Sequence, residues 1–333
     1  RLGRRLKVYE EPRVILDADT TPGAVMDPER ILKLVKKSDE ARVEIDIRPE
    51  TVEIFLGSTH VSLRSMKAEE YPALPFRGEL RPLAEFEFET DKLLTAISDI
   101  FPCISDDVTR PYLNGLALQL DEGWPIVLGT DGHRLALRKL PFVRHEISEE
   151  SAFLIPKTGI AEAMFLIKTA TSARITVEFF LANDHKLAVF TAKSEAVKQE
   201  LWIRLQDDKF PPWKAIWPKT NGVHIQFDAE ELMEVAREAQ TFCSRKRTVH
   251  MVPNGTSVEF EVDDPDTGRY SRQVDAEITG NPPAIGLNVD YIQDALKSIG
   301  GSTVTVHMGG SLDATLWSSN EQGCEVVVMP VRA

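Results

Sequence analysis

The stretch Thr130-Asp131-Gly132-His133-Arg134-Leu135-Ala136-Leu137 reads as a tight turn running into a strand. Asp then Gly suits such a turn: the carboxylate takes backbone N–H groups, and glycine adopts positive φ with no Cβ to clash. Asp131 and His133 also invite reading as a catalytic pair. A working histidine needs a nucleophile and an orienting partner, and no GxSxG, GxxxxGK[ST] or GxGxxG accompanies them. Four more short segments stand in fixed order around this turn: Tyr112-Leu113-Asn114-Gly115, Leu154-Ile155-Pro156-Lys157-Thr158-Gly159, Lys209-Phe210-Pro211-Pro212-Trp213-Lys214 and Val327-Val328-Met329-Pro330-Val331-Arg332.

Around these segments a short helix followed by alternating strands recurs. Asp27-Pro28 opens a helix with Ile31, Leu32, Leu34 and Val35 as its stripe. Val43, Ile45 and Ile47, then Val52, Ile54 and Leu56, then Val61 and Leu63, alternate with polar residues as half-buried antiparallel strands do. Thr90 is placed to cap a second helix through Leu93, Leu94, Ile97 and Ile100, with strands at 116–120 and 125–128 after it. Pro156 opens a third through Ile160, Met164 and Ile167, ahead of strands at 175–179 and 187–189. Asp228 caps a fourth through Leu232, Val235 and Ala239, ahead of strands at 258–262 and 274–278. Asn288 caps a fifth through Ile292, Leu296 and Ile299, ahead of strands at 304–307 and 326–331. The fold class is α+β, built from repeated helix-plus-antiparallel-strands units. Proline-rich 72–82 and 211–221 mark the boundaries between domains.

A chain of 333 residues accommodates two or three domains, and 42% apolar with 27% charged residues is ordinary for a soluble globular protein. No apolar run reaches membrane-spanning length, and Arg1–Arg5 is followed by no apolar core of a signal peptide. Cys103, Cys243 and Cys324 are odd in number and scattered, with no CxxC. Together these point to a reducing cytoplasm and away from a disulfide scaffold. The seven histidines form no cluster, so neither a metal nor another cofactor is expected. A net charge of −13 argues against a nucleic-acid binder when averaged over the surface. A ring whose hole carries a few cations escapes that objection.

The five segments, in this order, resemble the bacterial DNA polymerase III beta subunit, the sliding-clamp family. The likeness covers most of the chain and is closest from Asp91 onward. It implies the DNA clamp fold, with helices lining the inner face and sheets outside, no catalytic residues and no cofactor. It divides the chain into a partial first clamp domain at 1–78, a second at 84–210 and a third at 222–333. Each family domain holds two helix-plus-strands units, so one unit, roughly fifty residues, is expected to be missing ahead of Arg1. The implied function is a processivity factor for DNA replication: a head-to-tail homodimer around double-stranded DNA, without sequence preference. It tethers the polymerase catalytic subunit, the clamp loader and repair proteins through short linear peptides.

By the same resemblance the peptide groove falls on Leu113, Thr130, Gly132, His133, Arg134, Leu135, Pro211, Ile216, Val327, Met329, Pro330, Val331 and Arg332. A mostly apolar set with one flexible methionine suits varied partners. Ala215 stands where the family commonly has Arg. DNA contacts fall on Arg30, Lys33, Lys36, Lys37, Tyr112, Lys157, Lys168, Arg237, Arg245, Lys246 and Lys297, and the subunit interface on Val61, Leu63, Thr241 and Phe242. Two other readings stand beside this one. A clamp-derived interaction protein would not encircle DNA. A haloacid-dehalogenase-like phosphotransferase would use Asp17 and Asp19 of Val14-Ile15-Leu16-Asp17-Ala18-Asp19-Thr20, with Asp263-Asp264 as a distal acidic pair. That chemistry needs a parallel α/β sheet, which the alternating segments do not suggest.

Overall fold

In this computed structural model the described residues are 24–25, 35, 43–48, 50–67, 77–147, 152–194, 198–219, 222–245, 247–321 and 323–331. One compact unit lies within Lys7–Leu80 and another runs over Arg81–Ala333. In the smaller unit, β1 (Ala24–Val25) pairs with β5 (Met66–Lys67). A three-stranded meander joins β2 (Glu44–Ile47), β3 (Thr51–Leu56) and β4 (Thr59–Arg64), with β4 at its edge. The register puts Ile45, Ile54 and Val61 on one face, with Ile47, Val52 and Leu63 beside them. Of the helix expected over 27–35 only Val35 is described, and it is helical. The Asp17/Asp19 motif lies outside the described residues.

The larger unit is built twice over from one plan. Its first half runs β6 (Arg81–Glu89), α1 (Thr90–Ile100), β7 (Gly115–Asp121), β8 (Trp124–Thr130), β9 (Arg134–Lys139), β10 (Arg144–Ile147), β11 (Phe153–Pro156), α2 (Lys157–Thr169), β12 (Arg174–Ala182), β13 (His185–Lys193) and β14 (Lys198–Arg204). Its second half repeats that order as β15 (His224–Asp228), α3 (Ala229–Phe242), β16 (Thr248–Asn254), β17 (Ser257–Asp264), β18 (Gly268–Asp275), β19 (Glu277–Thr279), β20 (Ile285–Asn288), α4 (Val289–Ile299), β21 (Thr303–His307), β22 (Thr315–Ser318) and β23 (Glu325–Val328). The pairings repeat as well: β10-β6-β12-β13-β14 matches β19-β15-β21-β22-β23, and β11-β7-β8-β9 matches β20-β16-β17-β18. The halves join where β9 pairs with β23, which fuses two of these sheets into one of nine strands. The smaller unit's meander β2-β3-β4 has the form of β12-β13-β14 and β21-β22-β23. All pairings among the described strands are antiparallel, the arrangement expected of the clamp fold and unsuited to a haloacid-dehalogenase site.

Helix signals in the sequence map onto caps and core. Asp228 accepts the Glu231 N–H and Asn288 the Asp290 N–H, so both cap as expected. Thr90 does not cap: its hydroxyl donates to the Ser172 carbonyl at 2.7 Å, and Glu89 holds the cap position without a side-chain bond. Residues at i, i+3, i+4 and i+7 bury each helix: Leu93, Ala96, Ile97 and Ile100 on α1, Leu232, Val235, Ala236 and Ala239 on α3. Helix α2 comes so close to β14 that a Cβ on Gly159 would lie 2.6 Å from the Ile203 side chain, which is why glycine follows Pro156-Lys157-Thr158. The strand expected over 274–278 is two, β18 and β19, broken at Ala276. The one expected over 326–331 ends at Val328, with Val331 forming only an isolated bridge to Gly286. Pro82, read as linker, lies in β6. Cys103, Cys243 and Cys324 are buried and unpaired.

The nine-stranded sheet is apolar on both faces. Ala136, Val326, Trp317, Val306 and Ile225 form a cross-strand row in the main core with the helices. The neighbouring row Leu135, Val327 and Leu316 faces the other way. There it joins Ala117, Ile126, Leu128, Leu137, Leu154 and Trp213 in a second, smaller core. That outer core is covered by the segment linking the two halves, with Phe210, Trp217 and Ala314 packed against it.

Candidate functional site

The outer core surfaces where the β8–β9 turn meets the chain after β23. The turn is held by its own side chains. Asp131 Oδ1 accepts the N–H groups of His133 (2.9 Å) and Arg134 (3.1 Å). Thr130 Oγ1 donates to the Arg134 carbonyl (2.6 Å) and accepts the Gly132 N–H (3.1 Å). Gly132 has φ +92°, and a Cβ there would lie 2.9 Å from Arg110 Nη1 and 3.8 Å from Leu113 Cδ1. The His133 carbonyl accepts the Met329 N–H at 2.9 Å, so turn and C-terminal strand are one assembly.

Of the residues expected to line the groove, Leu113, Thr130, Leu135 and Val327 are buried. Met329 is 41% exposed and Ile216 52%, so these offer open apolar surface. Pro211, Pro330 and Val331 are half-buried, His133 is exposed, and Arg332 lies outside the described residues. Arg134 departs from expectation. Alternation along β9 turns its side chain away from Leu135, and only 10% of it is exposed. Ala215 is exposed in the 3-10 turn Trp213–Ala215. Sequence reasoning missed Leu154, Leu316, Ala314 and Trp213 of the outer core. It also missed Tyr291, whose ring lies 6.4 Å from His133 and beneath the Arg134 guanidinium. Trp213 and Trp217 pack edge to face at 5.4 Å, a signal present in the sequence as two tryptophans four residues apart.

The candidate DNA-contact residues divide. Arg30, Lys33, Lys36, Lys37 and Lys246 lie outside the described residues. Lys157 is largely committed elsewhere: its ammonium donates to the Ile104 carbonyl and to Asp106, both at 2.8 Å, and stacks on Phe101. Lys297 is exposed with Asp294 at 3.4 Å. Lys168, Arg237 and Arg245 are exposed, and Tyr112 is 39% exposed. The balance on the helices is acidic. Arg237 shares α3 with Glu230, Glu231, Glu234 and Glu238, and Lys297 shares α4 with Asp290 and Asp294.

At the expected interface, Val61 and Leu63 are half-buried on the edge strand β4. Thr241 is exposed, its hydroxyl donating to the Glu238 carbonyl. Phe242 is half-buried and stacked on Tyr270 at 5.5 Å. Tyr270 donates to Glu238, and Arg272 reaches Glu231, Glu234 and Glu238, so β18 is bound to α3 along its length.

The central domain of the DNA polymerase III beta subunit matches residues 87–212, and its C-terminal domain matches residues 214–332. The chain belongs to the DNA polymerase III beta subunit family. It is similar to the beta sliding clamp of Pseudomonas aeruginosa, 26% identical over 99% of this chain and 88% of that one. It is likewise similar to that of Bacillus subtilis, 25% identical over 93% and 81%. In fold it matches the beta subunit of Thermotoga maritima, with TM-score 0.81 and 23% identity over 93% of this chain and 81% of that one. It also matches a Bartonella birtlesii clamp solved bound to griselimycin, with TM-score 0.83 and 20% identity over 95% and 83%. As a sliding clamp the chain is a DNA-replication subunit and not an enzyme. Asp263 and Asp264, the distal pair of the phosphotransferase reading, are occupied otherwise: Asp263 pairs with Arg269, and Asp264 accepts from Ser244 and the Asp266 N–H. Among the described residues no helix is long and apolar enough to cross a membrane, and no His, Cys, Asp and Glu group has the makings of a metal site.

Proposed function

We propose that this clamp closes head to tail as a homodimer around duplex DNA in the cytoplasm, with its clamp-domain segments at 1–78, 84–210 and 222–333. It holds the replicative polymerase, the clamp loader and repair proteins by peptides seated between Thr130–Leu135 and Val327–Arg332. The observation that carries the ring is the internal repeat. In it the fourth strand of one half, β9, pairs with the last strand of the next, β23. The equivalent fourth strand of the second half, β18, is an edge among the described strands, and so is β4, the last strand of the first meander. Unpaired edges of this kind pair readily with another chain. Joining β18 of one chain to β4 of another repeats the join already made inside the chain, and two such joins close a ring. Contact with DNA is through phosphate and carries no sequence information, which lets the ring slide. Tethering then acts by raising the polymerase's effective concentration at the primer end.

The acidic balance of α3 and α4 favours a second reading, an interaction protein that does not encircle DNA. Mass in solution and retention on DNA separate the two. A ring gives a dimer mass and stays on nicked circular DNA but runs off once that DNA is linearised. A monomer lost equally from both would overturn the ring.

A further inference from the structure

Arg134 begins β9 on the face of the sheet opposite the groove floor. A guanidinium facing a core has to be fully bonded, because an unpaired buried charge is costly. Its planar fork is divided among three segments. Nε donates to Asp131 Oδ2 at 3.0 Å within the turn, Nη1 to Asp294 Oδ2 at 2.7 Å on α4, and Nη2 to the Pro102 carbonyl at 2.7 Å after α1. The Tyr291 ring of α4 lies 4.5 Å from the guanidinium carbon. The other oxygen of Asp131 holds the His133 N–H, and the His133 carbonyl holds the Met329 N–H. A chain of direct bonds therefore runs from Asp294 through Arg134, Asp131 and His133 to Met329, the most exposed apolar residue of the C-terminal wall.

We propose that Arg134 and Asp294 are positioning residues that fix the peptide groove from behind: α4 holds the turn, the turn holds Met329, and neither charged side chain touches the peptide. This rests on the groove reading given above. The fork geometry is what makes it specific. Lysine carries its three donors on one nitrogen and cannot span the positions that Nε, Nη1 and Nη2 occupy.

The test uses the full chain with Asp294→Asn, which keeps the side chain's shape, Asp294→Glu as the conservative variant, and Arg134→Lys. Three quantities are measured: hydrogen exchange at the Met329 amide, affinity for a peptide carrying one glutamine and two large apolar residues, and melting temperature. Asp294→Asn should speed Met329 exchange by roughly tenfold and weaken the peptide by about three- to tenfold, since one charge-assisted bond of the chain is lost. Asp294→Glu should recover part of both, and Arg134→Lys should resemble Asp294→Asn. Weakened peptide binding with unchanged Met329 exchange would overturn the proposal, because Arg134 would then be acting on the peptide itself. Unchanged exchange and unchanged affinity would overturn it equally. If the wild type binds no such peptide, the groove reading fails, and the exchange arm alone decides whether Asp294 holds the turn.

Discussion

Truncating Met329 and Ile216 together separates groove from core. Met329 is 41% exposed and Ile216 52%, so each keeps about half its surface available to a ligand. Wholly burying a side chain of this size gains roughly 2–3 kcal/mol, and closing a peptide over the exposed part gains about 1 kcal/mol at each. Met329→Ala with Ile216→Ala should therefore cost about 2 kcal/mol of peptide binding, ~30-fold in Kd. Leu135 is 1% exposed and Val327 2%, so these make the contrast. Leu135→Ala removes a closed part of the outer core and should cost roughly 2–5 kcal/mol of stability. At roughly 2–4 °C per kcal/mol for a unit this large, its melting temperature should fall by about 5–15 °C. The assay is fluorescence anisotropy with a labelled clamp-binding peptide, run beside thermal melts. Equal peptide affinity in wild type and double variant, with a melting loss as large as that of Leu135→Ala, would refute the reasoning.

Salt dependence tests the DNA face. Lys168 and Arg237 are exposed helical cations without an ion pair among the described residues, and each phosphate contact adds about 0.9 to the slope of log affinity against log salt. Lys168→Glu with Arg237→Glu should weaken retention on circular DNA and flatten that slope by about 2 per protomer; an unaltered slope would mean that DNA runs elsewhere. Acid should stabilise the larger unit through Asp99. Burial pushes the Asp99 carboxyl up to about 6 against the pull of Arg138. A raised folded value means the folded chain holds that proton more tightly. The stabilisation is complete below the ordinary carboxylate value and is lost as pH rises through about 6. Asp99→Asn should remove that stretch of the melting profile between about pH 4 and 6, and a profile identical to wild type would count against it.

Local rules made much of this chain legible. Asp228 and Asn288 cap because their oxygens find N–H groups two or three residues on, and the helix stripes are the periodic ones. Thr90 does not cap because its hydroxyl is taken by the Ser172 carbonyl, distant in sequence, and no cap rule sees that. Strand β14 carries Leu201 and Ile203 among charges, too short a run to announce itself. The residues expected at the groove were legible as a set of motifs, but which of them are buried and which exposed was not. Leu135 and Met329 look alike in sequence, and only the structure buries the one and exposes the other. The resemblance places Arg134 among the groove residues. Its side chain goes backwards because β9 alternates and Leu135 takes the outer face.

Why the groove sits where it does follows from the repeat. Two halves of one plan must be connected, and the connection from β14 to β15 passes over the outer face of the nine-stranded sheet. Trp213 sinks into that face and anchors the crossing, with Lys214 bound to Asp121 beside it. The crossing covers the sheet only in part, so apolar surface is left at its margin, where Ile216 and Met329 are exposed. A join between separate chains has no such crossing. The strand equivalent to β9, β18, begins beside Arg269, 83% exposed and paired with Asp263, where β9 begins with the enclosed Arg134. On the proposed reading, the covalent link is thus what turns a strand-to-strand join into a binding groove. On this argument each chain carries one groove, at its internal join, and a closed dimer carries two.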